Sequence, residues 1–178
     1  MKILIYSFND KLGDGLQKIS FIQNIKKNFP NSLITYTTSQ KTTFKNTLNP
    51  LIKNYIDEII EDNGIRSSIL DLFKKNKRFK GCYFDLIIDL QKVVLRTLNL
   101  KKIRHDKFFS ASANFLFSDV KNEFNLKFKD IYIEHFYFNI ISLLTKKIIR
   151  TIPSFNIPQI SFIDLNTSNK MNIGIAPG

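Results

Sequence analysis

The chain has 178 residues, of which 43% are hydrophobic and 13% aromatic, and 27 Lys and Arg against 15 Asp and Glu give it a formal charge of +12. This apolar content supports one packed domain and excludes an intrinsically disordered chain, and no apolar run reaches the ~20 residues of a membrane-spanning helix. Cys82 is the one cysteine, which excludes a disulfide framework or a cysteine-rich metal site and fits a reducing compartment.

The first part of the chain alternates between strand and helix patterns. Residues 2–8 (KILIYSF) form an apolar, β-branched run that predicts a strand buried on both faces. A polar turn follows at residues 9–15, and apolar residues then recur at helical spacing over 16–29, where Pro30 predicts the helix end. Residues 33–38 (LITYTT) predict a second strand. Strand, helix and strand with short connections are typical of a parallel sheet.

The pattern continues through the rest of the chain. Further strands are predicted at residues 56–60, 85–90 and 103–109. Further helices are predicted at residues 65–73, 93–98 and 133–148. Residues 108–128 are rich in Phe without clean periodicity and predict a loop-rich region packed on the sheet, whereas Pro153 and Pro158 mark a connector before a new strand at 172–176. The sequence therefore predicts an α/β fold with a doubly wound, mainly parallel sheet.

The loop after the first strand is the first candidate site, because ligands of such sheets bind outside the carboxyl ends of the strands. Its sequence, NDKLGDG, lacks both the GxGxxG fingerprint and the P-loop lysine, which argues against a dinucleotide-binding oxidoreductase. It does offer Asp14, a carboxylate at a helix N-terminus between Gly13 and Gly15. Asp14 is either a helix N-cap or a general base, with the glycines letting a substrate approach the backbone.

Lysine accounts for 22 of the 27 basic residues, so most of the charge is interpreted as a solvated surface. Attraction to an anionic substrate, a membrane surface or nucleic acid remains open. Arg66 and Arg96 each follow a predicted strand on the side where ligands collect. There they either pair bidentately with a carboxylate or phosphate or form surface salt bridges. His105 and His135 are far apart, and no metal-binding pattern accompanies them.

Three segments together resemble the N-terminal domain of the heptosyltransferases, the family 9 glycosyltransferases of lipopolysaccharide core biosynthesis. The first is residues 1–39, with Gly13-Asp14 after a strand and Phe29-Pro30 closing a helix. The second is YFDLIIDLQKVVLRT, and the third is NIGIAPG, similar to the strand and Pro-Gly that open the second domain of the family. In the second segment the matching residues are Asp85, Asp89, Gln91, Arg96 and Thr97. Two positions differ from the family pattern: Lys92 stands where the family usually has glycine, and Lys18-Ile19 where it commonly has Thr-Pro. These differences bear on which acceptor is bound more than on which fold is formed.

The resemblance implies half of a GT-B enzyme, in which two Rossmann-like domains face each other across a cleft. Residues 1–165 would form the acceptor-binding domain, and 166–178 the hinge and first strand of a C-terminal donor domain. The enzyme would move a heptose or related sugar, with inversion, from an ADP-sugar to an anionic, lipid-linked, lipopolysaccharide-type acceptor. It would act in the cytoplasm, in peripheral contact with the inner membrane, without a metal or a tightly bound cofactor, and nucleic acid is not an expected partner.

By the same resemblance, Asp14 would be the catalytic base that deprotonates the acceptor hydroxyl. The acceptor would be bound by Lys11, Gly13, Gly15, Arg66, Arg96 and Arg104. The alternative is a non-catalytic, basic Rossmann-like module that binds an anionic glycolipid or nucleic acid.

Overall fold

The structure is a computed structural model that describes residues 1–74 and 76–149. Its strands are β1 (Lys2–Ser7), β2 (Leu33–Thr38), β3 (Glu58–Ile60), β4 (Tyr83–Asp89) and β5 (Arg104–Ser110). Its α-helices are α1 (Leu12–Asn28), α2 (Asn49–Ile52), α3 (Val94–Lys101) and α4 (Ile133–Thr145). Short 3-10 turns lie at Thr43–Lys45, Leu70–Phe73 and Ser112–Phe115.

The five strands form one parallel sheet in the order β3-β2-β1-β4-β5. β1 is central, and its Ile3 lies opposite Ile34 of β2 on one side and Leu86 of β4 on the other. The strand order reverses between β1 and β4: the connection after β1 leads to β2 on one side, whereas the connection after β4 leads to β5 on the other side. This switch point is where ligands of open α/β sheets bind.

Apolar layers cover both faces of the sheet, because successive apolar residues of the central strand β1 point to opposite faces. Ile3 and Ile5 of β1 belong to a core that includes residues of α1, α2 and α4, whereas Leu4 and Tyr6 belong to a core formed with α3 and the loop after β3. All four side chains are fully buried. The α/β, Rossmann-like, doubly wound parallel fold predicted from the sequence is therefore confirmed.

The helix predicted at residues 65–73 is wrong: only Leu70–Phe73 forms a 3-10 turn. Side chains from α3 and its C-terminal end donate hydrogen bonds to backbone carbonyls that would accept bonds within a helix. Asn99 donates its amide to the carbonyls of Arg66 and Ser68 at 3.1 and 3.4 Å, and the Lys102 ammonium donates to the carbonyl of Asp71 at 2.6 Å. The segment therefore stays a fixed loop.

Helix α1 begins earlier than the pattern predicts. Asp10 forms a parallel bridge with Thr42 immediately after β1, and the chain enters the helix at Leu12. Lys11 occupies the N-cap position, so the N-cap interpretation of Asp14 is wrong, and Asp14 lies inside the first turn.

The predicted connector at Pro153 and Pro158, the strand at 172–176 and the domain boundary at 165 lie outside the described residues. Within the described ranges, none of the helices combines the length and apolarity needed to cross a membrane.

Candidate anion-binding site at the carboxyl edge of the sheet

Phe8 and Arg96 meet where the strand order reverses. Phe8 directly follows β1, and Arg96 lies in the first turn of α3, after β4. The guanidinium carbon of Arg96 is 3.6 Å from the centroid of the Phe8 ring, a cation–π contact that joins the two diverging loops. Stacking fixes the plane of the guanidinium and leaves its edge available for hydrogen bonds.

Arg66 and Arg96 line one open pocket of about 310 Å³, which we call the arginine pocket. Its other lining residues come from the ends of β1, β2 and β3: Phe8, Ser39, Gln40, Asp62, Gly64, Ile65 and Ser67. The sequence placed both arginines after strands, and the fold brings them into the same cavity.

Hydrogen bonds hold the frame of the arginine pocket. The Ser39 hydroxyl lies 2.9 Å from the Tyr6 hydroxyl and donates to the carbonyl of Ile65 at 2.7 Å. The buried Asn63 donates to the hydroxyl of Thr37 at 3.0 Å and accepts from the backbone N–H of Ile65 at 2.9 Å. These bonds tie the loop after β3 to the end of β2, so the pocket is pre-formed.

Neither arginine forms a direct ion pair with a carboxylate of the described residues, although the charge of Arg96 acts on the buried Asp89. The Nε of Arg96 is buried without a hydrogen-bond partner, which is uncommon for a buried polar atom. Arg66 is exposed. Two guanidinium groups that form no ion pair with a described residue, in one concave site that also contains Asp62, favour a phosphate or carboxylate ligand.

Asp89 ends β4 close to Arg96 and is fully buried. Its carboxylate accepts hydrogen bonds from the hydroxyls of Thr97 and Ser110 at 2.6 and 3.0 Å and from the backbone N–H of Gln91 at 2.8 Å. Burial raises the pKa of Asp89 to about 6, although these hydrogen bonds and the charge of Arg96 act in the opposite direction. Asp89 therefore links the ends of β4 and β5 to the start of α3.

The structure contains a buried charge pair, Asp10 with Lys18, that the sequence reasoning missed. The Asp10 carboxylate also accepts from the hydroxyls of Ser7, Tyr36 and Thr42 at 3.0, 2.8 and 3.0 Å. Burial, and then the charge of Asp10, raises the pKa of Tyr36 well above its usual value. A satisfied network of this kind fixes the loop after β1 rather than offering a free group to a ligand.

One sequence signal points to this pair. Lys18 shares the apolar face of α1 with Gly15, Ile19 and Ile22. A lysine at a core-facing position requires a buried partner.

The residues predicted around Asp14 differ in their surroundings. Lys11, Gly13 and Asp14 are exposed, and the Asp14 carboxylate makes neither a hydrogen bond nor an ion pair with any described residue, although its charge acts on Tyr137. Gly15 is buried, and a Cβ there would lie 2.6 Å from Cδ1 of Leu48. Gly15 therefore serves helix packing rather than substrate approach, whereas Gly13 leaves open space.

A second pocket adjoins the arginine pocket at the carboxyl edge of the sheet, and Asp14 lines neither of the two. Lys11 and Asp10 line this second pocket of about 500 Å³, which shares Gln40 and Asp62 with the arginine pocket. Arg104 is not brought to this site, because it is the first residue of β5 and lies at the amino edge of the sheet.

In the part of the chain that the structure describes, no group of three or more His, Cys, Asp or Glu side chains could hold a metal ion. Comparison with protein-family models, with curated proteins and with solved structures gives no match for this chain. The candidate site thus consists of two arginines that form no ion pair with a described residue, in one pocket, and of the loop after β1, which carries the exposed Asp14 carboxylate.

Proposed function

We propose that this domain binds an anionic saccharide at the carboxyl edge of its sheet, as the acceptor half of an inverting glycosyltransferase that uses an ADP-heptose-like donor. One observation carries the binding part: Arg66 and Arg96, which form no ion pair with any described residue, line the same pocket at the switch point. The transferase part rests on the resemblance of the three sequence segments to heptosyltransferases.

In this proposal the arginines hold a phosphate or carboxylate of the acceptor, and Asp14 is the general base. A negative charge is favoured in the first turn of a helix, and the exposed Asp14 carboxylate makes no hydrogen bond or ion pair with a described residue that a substrate would have to displace. As the acceptor oxygen forms its bond to the anomeric carbon, its proton passes to Asp14. The bond between that carbon and the nucleotide diphosphate breaks on the opposite face. General base catalysis contributes typically ~10²–10⁴-fold.

Titration calorimetry at low ionic strength tests the binding part, with 6-phosphogluconate as the anionic probe and glucose as the neutral control. We expect Arg96→Gln to weaken binding of the anionic probe by about 10–100-fold, because charged hydrogen bonds are worth about 1.5–3 kcal/mol. Arg66→Gln should weaken it less, since Arg66 is exposed. Arg104→Gln removes one arginine at the opposite edge and should leave the affinity unchanged. Equal losses in all three variants would contradict a specific site.

Sugar transfer from ADP-heptose by the full-length gene product tests the catalytic part. We expect Asp14→Asn to abolish transfer while 6-phosphogluconate binding and the thermal midpoint stay at wild-type values. Turnover near the wild-type rate would refute the assignment of the base. Wild-type protein that binds the anion but transfers no sugar would instead favour the non-catalytic module.

A further inference from the structure

The loop after β3 exposes three large apolar side chains in succession around its 3-10 turn. Ile69 is 63% exposed, Leu70 71% and Phe73 85%. Isolated exposed apolar residues are ordinary on protein surfaces. Three of them on one short turn form an exposed apolar patch, whose contact with water is unfavourable. We call these three residues the apolar tip.

The apolar tip is held away from the core by contacts on both sides. Asn99 anchors the carbonyls of Arg66 and Ser68 before it, and Lys102 anchors the carbonyls of Asp71 and Lys74. Phe79, 5% exposed, then returns the chain to the core in edge contact with Phe84. The loop therefore cannot turn its apolar side chains inward without breaking these bonds.

The loop that carries the apolar tip also lines a pocket of about 700 Å³, which contains five basic residues and the carboxylates of Asp62 and Asp71. The basic residues are Lys74, Lys77, Arg78, Lys80 and Lys102. We call Lys74, Lys77, Arg78 and Lys80 the basic rim. Among the described residues, these four form a single ion pair, that of Lys74 with Asp71 at 3.7 Å. Most of the positive charge of the basic rim is therefore not paired with a described carboxylate.

We propose that this loop docks the protein on an anionic lipid bilayer. The side chains of Ile69, Leu70 and Phe73 enter the interface between headgroups and acyl chains, and the basic rim contacts the lipid phosphates. Charge complementarity selects this occupant. Lysine and arginine attract an anionic surface. Two of the three residues of the apolar tip, Ile69 and Leu70, are aliphatic and suit acyl chains better than nucleic acid bases, which stack on aromatic rings such as that of Phe73. The inference does not depend on sugar transfer.

Vesicle cosedimentation tests the docking surface, with phosphatidylcholine vesicles that either contain or lack phosphatidylglycerol. We expect the wild-type chain to bind only the anionic vesicles. Ile69→Ser, Leu70→Ser and Phe73→Ser combined should weaken binding by at least about tenfold, because apolar insertion and charge act together. The matched control, Leu116→Ser with Tyr132→Ser, removes side chains that are 74% and 79% exposed elsewhere, and should bind like the wild type.

Charge is tested separately. We expect neutralising the rim to abolish binding to anionic vesicles, and neutralising four exposed lysines elsewhere to weaken it by less than about threefold, since surface charge acts over the whole protein. The rim variant carries Lys74→Gln, Lys77→Gln, Arg78→Gln and Lys80→Gln. The matched control carries Lys27→Gln, Lys53→Gln, Lys121→Gln and Lys147→Gln. Equal losses in the two sets would overturn the proposal, because binding would then follow net charge alone.

Fluorescence gives a direct readout of insertion, because the chain contains no Trp. In Phe73→Trp the single indole should shift its emission to shorter wavelength on anionic vesicles, whereas the indole of Tyr132→Trp should not. Absence of the shift with vesicles bound would overturn insertion of the apolar tip. Binding to random-sequence RNA that the serine variants leave unchanged, together with no vesicle binding, would overturn the proposal in favour of nucleic acid.

Discussion

Replacing Asp89 with asparagine removes a buried ionisable group close to Arg96 and keeps a side chain of nearly the same shape. The asparagine oxygen still accepts a hydrogen bond, and its amide can donate to the hydroxyl of Thr97 or Ser110, since hydroxyl hydrogens rotate. The substitution therefore isolates the ionisation of Asp89 from its hydrogen bonding.

The expected effect follows from the pKa of Asp89, which burial raises to about 6 from an ordinary value of 3.8. Because the folded pKa lies above the unfolded one, the folded protein binds more protons between these values. The contribution of Asp89 to stability is thus complete below the unfolded pKa and is lost as the pH rises through about 6. The full loss corresponds to about 3 kcal/mol, most of it between pH ~4 and ~6.

Urea unfolding at several pH values measures this effect as a difference between the two proteins, so that other titrating groups cancel. We expect the stability of the wild type, relative to Asp89→Asn, to fall by about 2 kcal/mol from pH 4 to pH 6. A constant difference would refute the reasoning. It would mean that the three hydrogen bonds and Arg96 stabilise the buried carboxylate as well as water does. A difference that grows with pH would mean that they stabilise it better.

Two further predictions concern α1 and its surroundings, and both are checked by denaturant unfolding. Gly15→Ala should cost about 1–3 kcal/mol, because its Cβ would meet the buried Leu48 side chain, whereas Gly13→Ala, with open space around it, should be neutral or stabilise by up to ~1 kcal/mol. Equal stability of the two variants would contradict the packing role. Lys18→Met should cost about 3–5 kcal/mol by leaving Asp10 unpaired, and adding Asp10→Asn should recover part of that loss. Simple additivity of the two losses would argue against a coupled buried pair.

The strands and long helices could be predicted because their own residues specify them. The β-branched runs of β1 and β2 suit buried strands, and the apolar spacing of α1 followed by Pro30 marks both its face and its end. The segment at 65–73 could not be predicted, although its spacing is helical. Its carbonyls are bound by Asn99 and Lys102, which lie some thirty residues away, so tertiary contacts override the local pattern.

The candidate site, like the fold, could be predicted only in part. Arg66 and Arg96 could be found from their positions after strands, but their common pocket depends on the strand order, which no local pattern encodes. The Asp10 network stayed hidden because its partners come from β2 and the loop after it as well as from α1. The NDKLGDG segment predicted a polar turn whose glycines let a substrate approach the backbone, and this drew attention to Asp14 instead.

The contact between α1 and α4 has a consequence for how the chain is made. Phe21 and Tyr137, whose ring centroids are 5.4 Å apart, belong to the first and the last helix of the described residues, so α1 leaves the ribosome long before α4. Until α4 has been translated, the apolar side chains of α1 that pack against α4 stay uncovered. The nascent chain therefore exposes an apolar surface during the synthesis of the residues between the two helices. Contacts this distant in sequence also slow folding. We therefore expect this domain to depend on a chaperone that binds exposed apolar segments until Ile133–Thr145 has been translated.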